Sequence, residues 1–288
     1  MTRFKKGILF LVGLVSFTTA VGDDVTDQLQ TAFKGDALAD ISTLTQYAKK
    51  GDPQAQTRLG VIYFQGKGVE QNYQQASYWF AQAAARGHAG AQTNLGLMYS
   101  NALGVPQNQQ TAAYWYQKAA VQGYTAAYLN LGILYSENDD ADDGVKQDLS
   151  KALASYKKAA YQGNPHAQYR LGAMYANGTG VLHDDKRAVY WYAKAAQQGL
   201  ASARFNLGLK YLNGEGVSQD TLEGYKLMLL ASIDFGKKEM DSRDLVSEGS
   251  TRELIDDTQR LSEMWPVNMD VVFDAPSEEA LVASNSSD

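Results

Sequence analysis

One dipeptide returns through this chain at an almost fixed interval: Leu59-Gly60, Leu95-Gly96, Leu131-Gly132, Leu171-Gly172 and Leu207-Gly208. The spacings are 36, 36, 40 and 36 residues. A period in this range marks stacked supersecondary units, each too small to bury its apolar face alone, and not one globular core. Around each pair the same residues recur in order. An Ala stands four positions before the Leu and a Tyr four after it; Gly-Val, an Asn or Asp, a small pair and a Gly follow. A stack of this kind works by presenting surface.

The first unit shows how the chain folds locally. Ala55, Leu59, Ile62 and Tyr63 recur at helical spacing and form one apolar stripe. Gly66 and Gly68 then predict a helix end, because glycine enters left-handed backbone at no steric cost. Asn72 suits an N-cap, and Ala76, Trp79, Phe80, Ala83 and Ala84 mark one face of a second helix that Gly87 stops. The cap repeats as Asn72, Asn108, Asp148, Asp184 and Asp220. The turn repeats as Gly68-Val69, Gly104-Val105, Gly144-Val145, Gly180-Val181 and Gly216-Val217. Each unit is therefore expected to be two antiparallel helices joined by a turn of about six residues, with start, stop and period signals in agreement.

Glycine inside a helix costs about 1 kcal/mol relative to Ala. Five units repeat that cost at Gly60, Gly96, Gly132, Gly172 and Gly208, so a compensating close helix approach is expected there. The small pairs Ala83-Ala84, Ala119-Ala120, Ala159-Ala160 and Ala195-Ala196 are the expected contacts.

These residues resemble the Sel1-like repeat family, a relative of the tetratricopeptide repeat. The fourth unit carries the pattern most fully: Ala167, Leu171-Gly172, Tyr175, Gly178, Gly180-Val181, Asp184, Ala188, Trp191-Tyr192, Ala195-Ala196 and Gly199. Ser155 and Leu227 replace the Trp79, Trp115 and Trp191 of the other units, and Gly224 stands where Ala is usual. The resemblance implies an all-α, right-handed superhelical solenoid of five helix-turn-helix repeats, over 52–87, 88–123, 124–163, 164–199 and 200–236. It implies a non-enzymatic protein-interaction scaffold; exported bacterial relatives are mostly adaptors, regulators of envelope signalling or host-contact proteins. A cysteine-rich branch is linked to penicillin binding, which gives the alternative of an enzyme acting on cell wall or β-lactams. This chain has no Cys, which places it outside that branch.

The flanks read differently. Arg3, Lys5 and Lys6, the apolar run Ile8 to Val15 and Thr18-Thr19-Ala20 form a signal peptide over 1–22, with cleavage after Ala20 or Gly22. The basic start is lost with it, and the net charge moves from -6 to -9. An acidic chain without clustered Lys and Arg is a poor match for nucleic acid, and no later apolar stretch is long enough to span a bilayer. The expected location is the bacterial periplasm or the exterior. Residues 24–51 are assigned to an N-terminal cap, in which Ala37 to Lys50 with Gly51 matches a second helix standing alone. In 237–265, Ser250 and Glu253 have capping-box spacing before Leu254, Ile255, Leu261 and Trp265, a closing helix. Residues 266–288 read as a disordered acidic tail.

Catalytic chemistry has little support. His88, His166 and His183 fall in loops or at helix starts, without a partner ligand at helix spacing, and read as surface histidines. Ser155 and Lys158 have the Ser-x-x-Lys spacing of penicillin-interacting enzymes, but the companion Ser-Asp-Asn and Lys-Thr-Gly motifs are missing. The acidic run from Glu137 to Asp143 reads as a solvated loop, with a partner contact or a cation loop as alternatives; Ala141 and Ser150 break the calcium-loop pattern. No cofactor or metal is expected.

A binding surface has more support. The residue before each repeat Leu is Arg58, Asn94, Asn130, Arg170 or Asn206, and seven positions later come Gln65, Asn101, Glu137, Asn177 and Asn213. Two helical turns separate the members of each pair, so both lie on one face, away from the core stripe. Stacking predicts two polar ladders on the concave side, where amides and guanidinium groups grip the backbone or carboxylates of a protein or peptide. The off-pattern aromatics Tyr114, Tyr124, Tyr128, Tyr169 and Tyr190 are second-choice contacts.

Overall fold

The computed structural model describes residues 37–137 and 145–236. The expected leader over 1–22, residues 24–36, the acidic run beyond Glu137 with Gly144, the linker and closing helix over 237–265 and the tail over 266–288 lie outside the described residues. Eleven helices and no strand occur among the described residues: α1 (Ala37–Lys50), α2 (Pro53–Gln65), α3 (Tyr73–Ala85), α4 (Ala89–Ser100), α5 (Gln109–Val121), α6 (Thr125–Glu137), α7 (Leu149–Tyr161), α8 (Pro165–Asn177), α9 (Asp185–Gln197), α10 (Ala201–Asn213) and α11 (Thr221–Gly236). The architecture is an all-α repeat solenoid, and α1 is the lone second helix expected at its start. Two compact units divide the chain, one ending at Asp148 and the other beginning at Leu149.

Four of the five expected caps close a helix by their side chains. The side chains of Asn72, Asn108, Asp184 and Asp220 accept from backbone N–H groups three residues on, at 2.8–3.0 Å. The same residues bind the turn from its other side. The backbone N–H of Asn72, Asn108, Asp148, Asp184 and Asp220 donates to the carbonyl of Tyr63, Tyr99, Tyr135, Tyr175 and Tyr211, all at 2.8–3.0 Å. Orphan groups at both helix ends are thereby satisfied inside the turn. The Gln before the cap repeats a third bond, from Gln71, Gln107, Gln147 and Gln219 to the carbonyls of Phe64, Ser100, Ser136 and Leu212.

The core follows the repeat. Ala55, Leu59, Ala91, Leu95, Ala127 and Leu131 are buried in the first unit, and Ala167, Leu171, Ala203 and Leu207 in the second. The helix-interior glycines do mark close approach, but not to the Ala pairs. A Cβ on Gly60 would lie 2.5 Å from the Phe80 ring, on Gly96 2.7 Å from the Tyr116 ring and on Gly172 2.8 Å from the Tyr192 ring. The aromatic three residues before each Ala pair packs against the glycine, because only a missing side chain leaves room for a ring between paired helices. The Ala pairs serve the next junction: Ala83 and Ala84 pack with Ala91, Leu95 and Met98 of the following helix. Gly224 has its own reason, since a Cβ there would meet the Leu212 side chain at 2.7 Å and the Gly208 carbonyl at 3.0 Å.

A buried polar bond that sequence reading missed ties successive helix pairs. Gln56, Gln92 and Gln168 donate to the carbonyls of Ala48, Ala84 and Ala160 at 2.9–3.2 Å, and Arg204 Nε donates to Ala196 at 3.3 Å. Each gives a second bond to a carbonyl at the end of the preceding second helix, which also accepts from the backbone N–H of Gly51, Gly87, Gly163 or Gly199. Gln122 and Gln198 complete two of these amides by donating to the side-chain oxygens of Gln92 and Gln168, at 2.8 and 2.7 Å. At the first junction the equivalent residue is Arg86, and Gln56 Oε1 is buried without a partner. Arg86→Gln is therefore expected to close that bond and raise stability by about 1 kcal/mol, since an unsatisfied buried acceptor costs about 1–3 kcal/mol. Urea denaturation checks it, and a midpoint at or below that of the parent would reject this account of the junction.

Candidate docking surface

The expected ladder residues share one face of the first helix in each pair. In the first unit, Arg58 of α2, Asn94 of α4 and Asn130 of α6 hold equivalent places on that face. Arg58 and Asn130 are half-buried, and Asn94 is buried with 8% exposure. One turn on, Val61, Leu97 and Ile133 form a half-buried aliphatic row. Gln65, Asn101 and Glu137 follow at the helix ends. The Asn101 amide is committed locally, donating to the Leu97 carbonyl at 2.9 Å.

The second unit repeats the face with altered polarity. Arg170 and Asn206 are half-buried, while Asn177 and Asn213 close α8 and α10 and are exposed. Asn206 donates to the Tyr169 hydroxyl at 3.4 Å, and Asn213 to Glu215 at 3.2 Å. Lys210 is a departure that the repeat pattern did not flag. Its place is Ile62, Met98, Leu134 and Met174 in the other units. Its ammonium is held by Asp185 at 2.7 Å and Glu215 at 2.6 Å. Burial alone would lower its pKa, but these two hydrogen bonds outweigh it and the net shift is upward. The partner Asp185 also meets His183 Nε2 at 3.3 Å.

Several expectations need correction. Tyr190 is not an exposed anchor: it is 4% exposed and packs edge-on against Trp191. Tyr114 is half exposed, and Tyr124, Tyr128 and Tyr169 are half-buried. Tyr78, the equivalent of Tyr114 one repeat earlier, is also exposed and was not among the expected contacts. His88 is not a plain surface residue. Its Nδ1 accepts from the Ala91 N–H at 3.2 Å, so the ring caps α4, and Thr57 Oγ1 lies 3.0 Å from the same nitrogen. Ser155 is buried, and its hydroxyl donates to the Lys151 carbonyl at 2.8 Å. Among the described residues, no group of three His, Cys, Asp or Glu is placed to hold a metal ion. No helix among them is long and apolar enough to cross a membrane.

The His88 cap makes the first unit acid-sensitive. Burial lowers the ring's pKa, and attraction to Asp52 only partly opposes this. A group with a folded pKa below its unfolded value stabilises when neutral. That stability is present above pH of about 6.5 and is lost as pH falls from there through the folded pKa. His88→Asn keeps a capping side chain without the titration. Thermal melts across this range should show a flatter pH profile for the variant, and parallel profiles would show that His88 is not the sensor.

Comparison with known proteins places these features in context. The model of the Sel1 repeat matches five times in succession, at 53–88, 89–124, 125–164, 165–200 and 201–232. A Sel1 repeat protein from Oxalobacter formigenes is 30% identical and superposes with a TM-score of 0.59, over 74% of this chain and 88% of that one. A Sel1 repeat protein from Klebsiella pneumoniae is 25% identical over 71% of this chain and 98% of that one, with a TM-score of 0.46. An immunity protein from Pseudomonas aeruginosa is 21% identical over 75% of this chain and 84% of that one, with a TM-score of 0.48. No curated protein matches.

Proposed function

This chain belongs to the Sel1 repeat family, and from that premise we propose that it is a non-enzymatic docking scaffold that holds a protein or peptide on its first-helix face. The observation that carries the reading is the recurrence of uncommitted polar side chains at one place on that face, from Asn94 to Asn130. Repeat stacks bury each unit against its neighbours and leave such a face for recognition. The basic and apolar N-terminal sequence supports export, so the partner belongs to the periplasm or the exterior. The acidic balance favours protein over nucleic acid.

Affinity purification of the full chain from an envelope extract, followed by mass spectrometry, tests the proposal. A protein enriched over a scrambled-face control is the expected result. Enrichment of nothing but background would remove the scaffold reading.

A further inference from the structure

Two equivalent Tyr–Trp pairs on second helices have matching neighbours and opposite exposure. On α5, Tyr114 lies edge-on to Trp115 with ring centroids 5.0 Å apart, and the Lys118 ammonium sits 5.6 Å from the Tyr114 ring. On α9, Tyr190 lies edge-on to Trp191 at 4.9 Å, with the Lys194 ammonium 5.2 Å from its ring. Tyr114 is nevertheless 50% exposed and Tyr190 only 4%. The burial continues along that side of α9. Val189 and Ala193, one turn apart, are both 2% exposed, whereas Gln117, at the place of Ala193 on α5, is exposed. A following second helix does not account for this, because α5 follows α3 in the same order and Tyr78 on α3 is 53% exposed. Tyr161 meets Trp191 at 5.3 Å, but at 64% exposure it has little surface left to cover a second ring. The cover on this side of α9 therefore comes from chain outside the described residues.

We propose that residues 250–265 of this chain dock along α9, with Leu254, Ile255, Leu261 and Trp265 laid against Val189, Tyr190 and Ala193. These four apolar residues and Thr258 recur at helical spacing and share one face. Charge is complementary. Helix α9 carries Lys186, Arg187 and Lys194 against Asp185, while 250–265 carries Glu253, Asp256, Asp257 and Glu263 against Arg252 and Arg260. Reach is sufficient. Helix α10 packs against both α9 and α11, so α9 lies one helix away from the end of the described chain. The 16 residues of α11 are about 24 Å long, and the chain from Gly236 to Ser250 extends up to about 45 Å. Residues 1–36 and 138–144 belong to the other compact unit. Of the three Tyr–Trp pairs, Tyr78–Trp79 and Tyr114–Trp115 then stay open to other partners, and Tyr190–Trp191 is taken by the chain itself.

Tyrosine nitration of the full chain, mapped by peptide mass spectrometry, tests the contact. In the parent, Tyr78 and Tyr114 should be nitrated readily and Tyr190 protected. In Leu261→Asp, nitration of Tyr190 should rise about tenfold, because modification of a covered residue follows its opening equilibrium. Tyr156, buried in the same unit, should stay protected and shows that the fold is intact. Leu254→Asp carries the same test if Leu261→Asp fails to fold, and Phe273→Asp, beyond the proposed segment, should change nothing. The chain has no Cys, so introduced pairs give a second reading. Ala193→Cys combined with Leu254→Cys, Thr258→Cys or Leu261→Cys should close an intramolecular disulfide in at least one pairing, and Gln117→Cys with the same three should close none. Nitration of Tyr190 as ready as that of Tyr114 in the parent overturns the proposal. So does protection kept in both Asp variants, and so does uncovering by Phe273→Asp in their place. Closure with Gln117→Cys as ready as with Ala193→Cys, or closure with neither, also overturns it.

Discussion

Gly104→Ala should be among the most damaging single-methyl changes in this protein. Gly104 has φ of 69°, a region where an L-residue costs about 1–2 kcal/mol. The added Cβ would also sit 2.3 Å from the carbonyl carbon and oxygen of Tyr73. Those are backbone atoms at the start of α3, fixed by the Asn72 cap, so they cannot rotate away. Overpacking adds about 1–3 kcal/mol, giving a combined loss of about 2–5 kcal/mol from a domain whose whole stability is of order 5–15 kcal/mol. Gly216→Ala repeats the collision in the second unit, 2.3 Å from the Asp185 carbonyl. Gly68 is the internal control. It has φ of 75° as well, but its nearest neighbour is the tip of Ile41 at 3.4 Å. Gly68→Ala should therefore lose only the backbone term. Calorimetric melting of the three variants separates the effects, and equal losses at Gly68 and Gly104 would show that junction packing plays no part.

Gly60→Ala tests the other repeating glycine. Helix propensity alone predicts a gain of about 1 kcal/mol. The structure predicts a net loss of about 1–3 kcal/mol instead, because the new Cβ lies 2.5 Å from the ring of fully buried Phe80. The sign of the result decides between the two. Phe80→Leu removes the ring edge and is destabilising alone through the cavity it leaves. Combined with Gly60→Ala it should be less harmful than the two losses added, with a coupling of about 1–2 kcal/mol. Strict additivity in urea melts would mean that ring and glycine do not oppose each other.

The features readable from sequence were those that depend on neighbours along the chain. Asn72, Asn108, Asp184 and Asp220 could be assigned as caps because a cap bonds three residues onward, and Leu59, Leu95, Leu131, Leu171 and Leu207 could be assigned to the core because helical period fixes their face. Features closed by another helix pair were not readable. Gln56, Gln92 and Gln168 look like surface residues until the carbonyl they seal is seen on the preceding second helix. One signal was available: Gln recurs there at the repeat interval, at a place where an exposed residue would be free to vary. Lys210 stood in the sequence at an otherwise apolar place, but its two carboxylate partners lie on separate segments.

By itself the sequence determined an all-α chain of five Sel1 repeats and most of its helix caps. These follow from φ preferences, capping and a 3.6-residue period, all set within a few residues. Tertiary structure decided depth and partner. It laid Phe80, Tyr116 and Tyr192 on the glycines where Ala pairs were expected, buried Tyr190, turned His88 into a cap and left Gln56 Oε1 buried without a partner. Period fixes the direction in which a side chain leaves its helix; only the packing of the next helix fixes what it meets there.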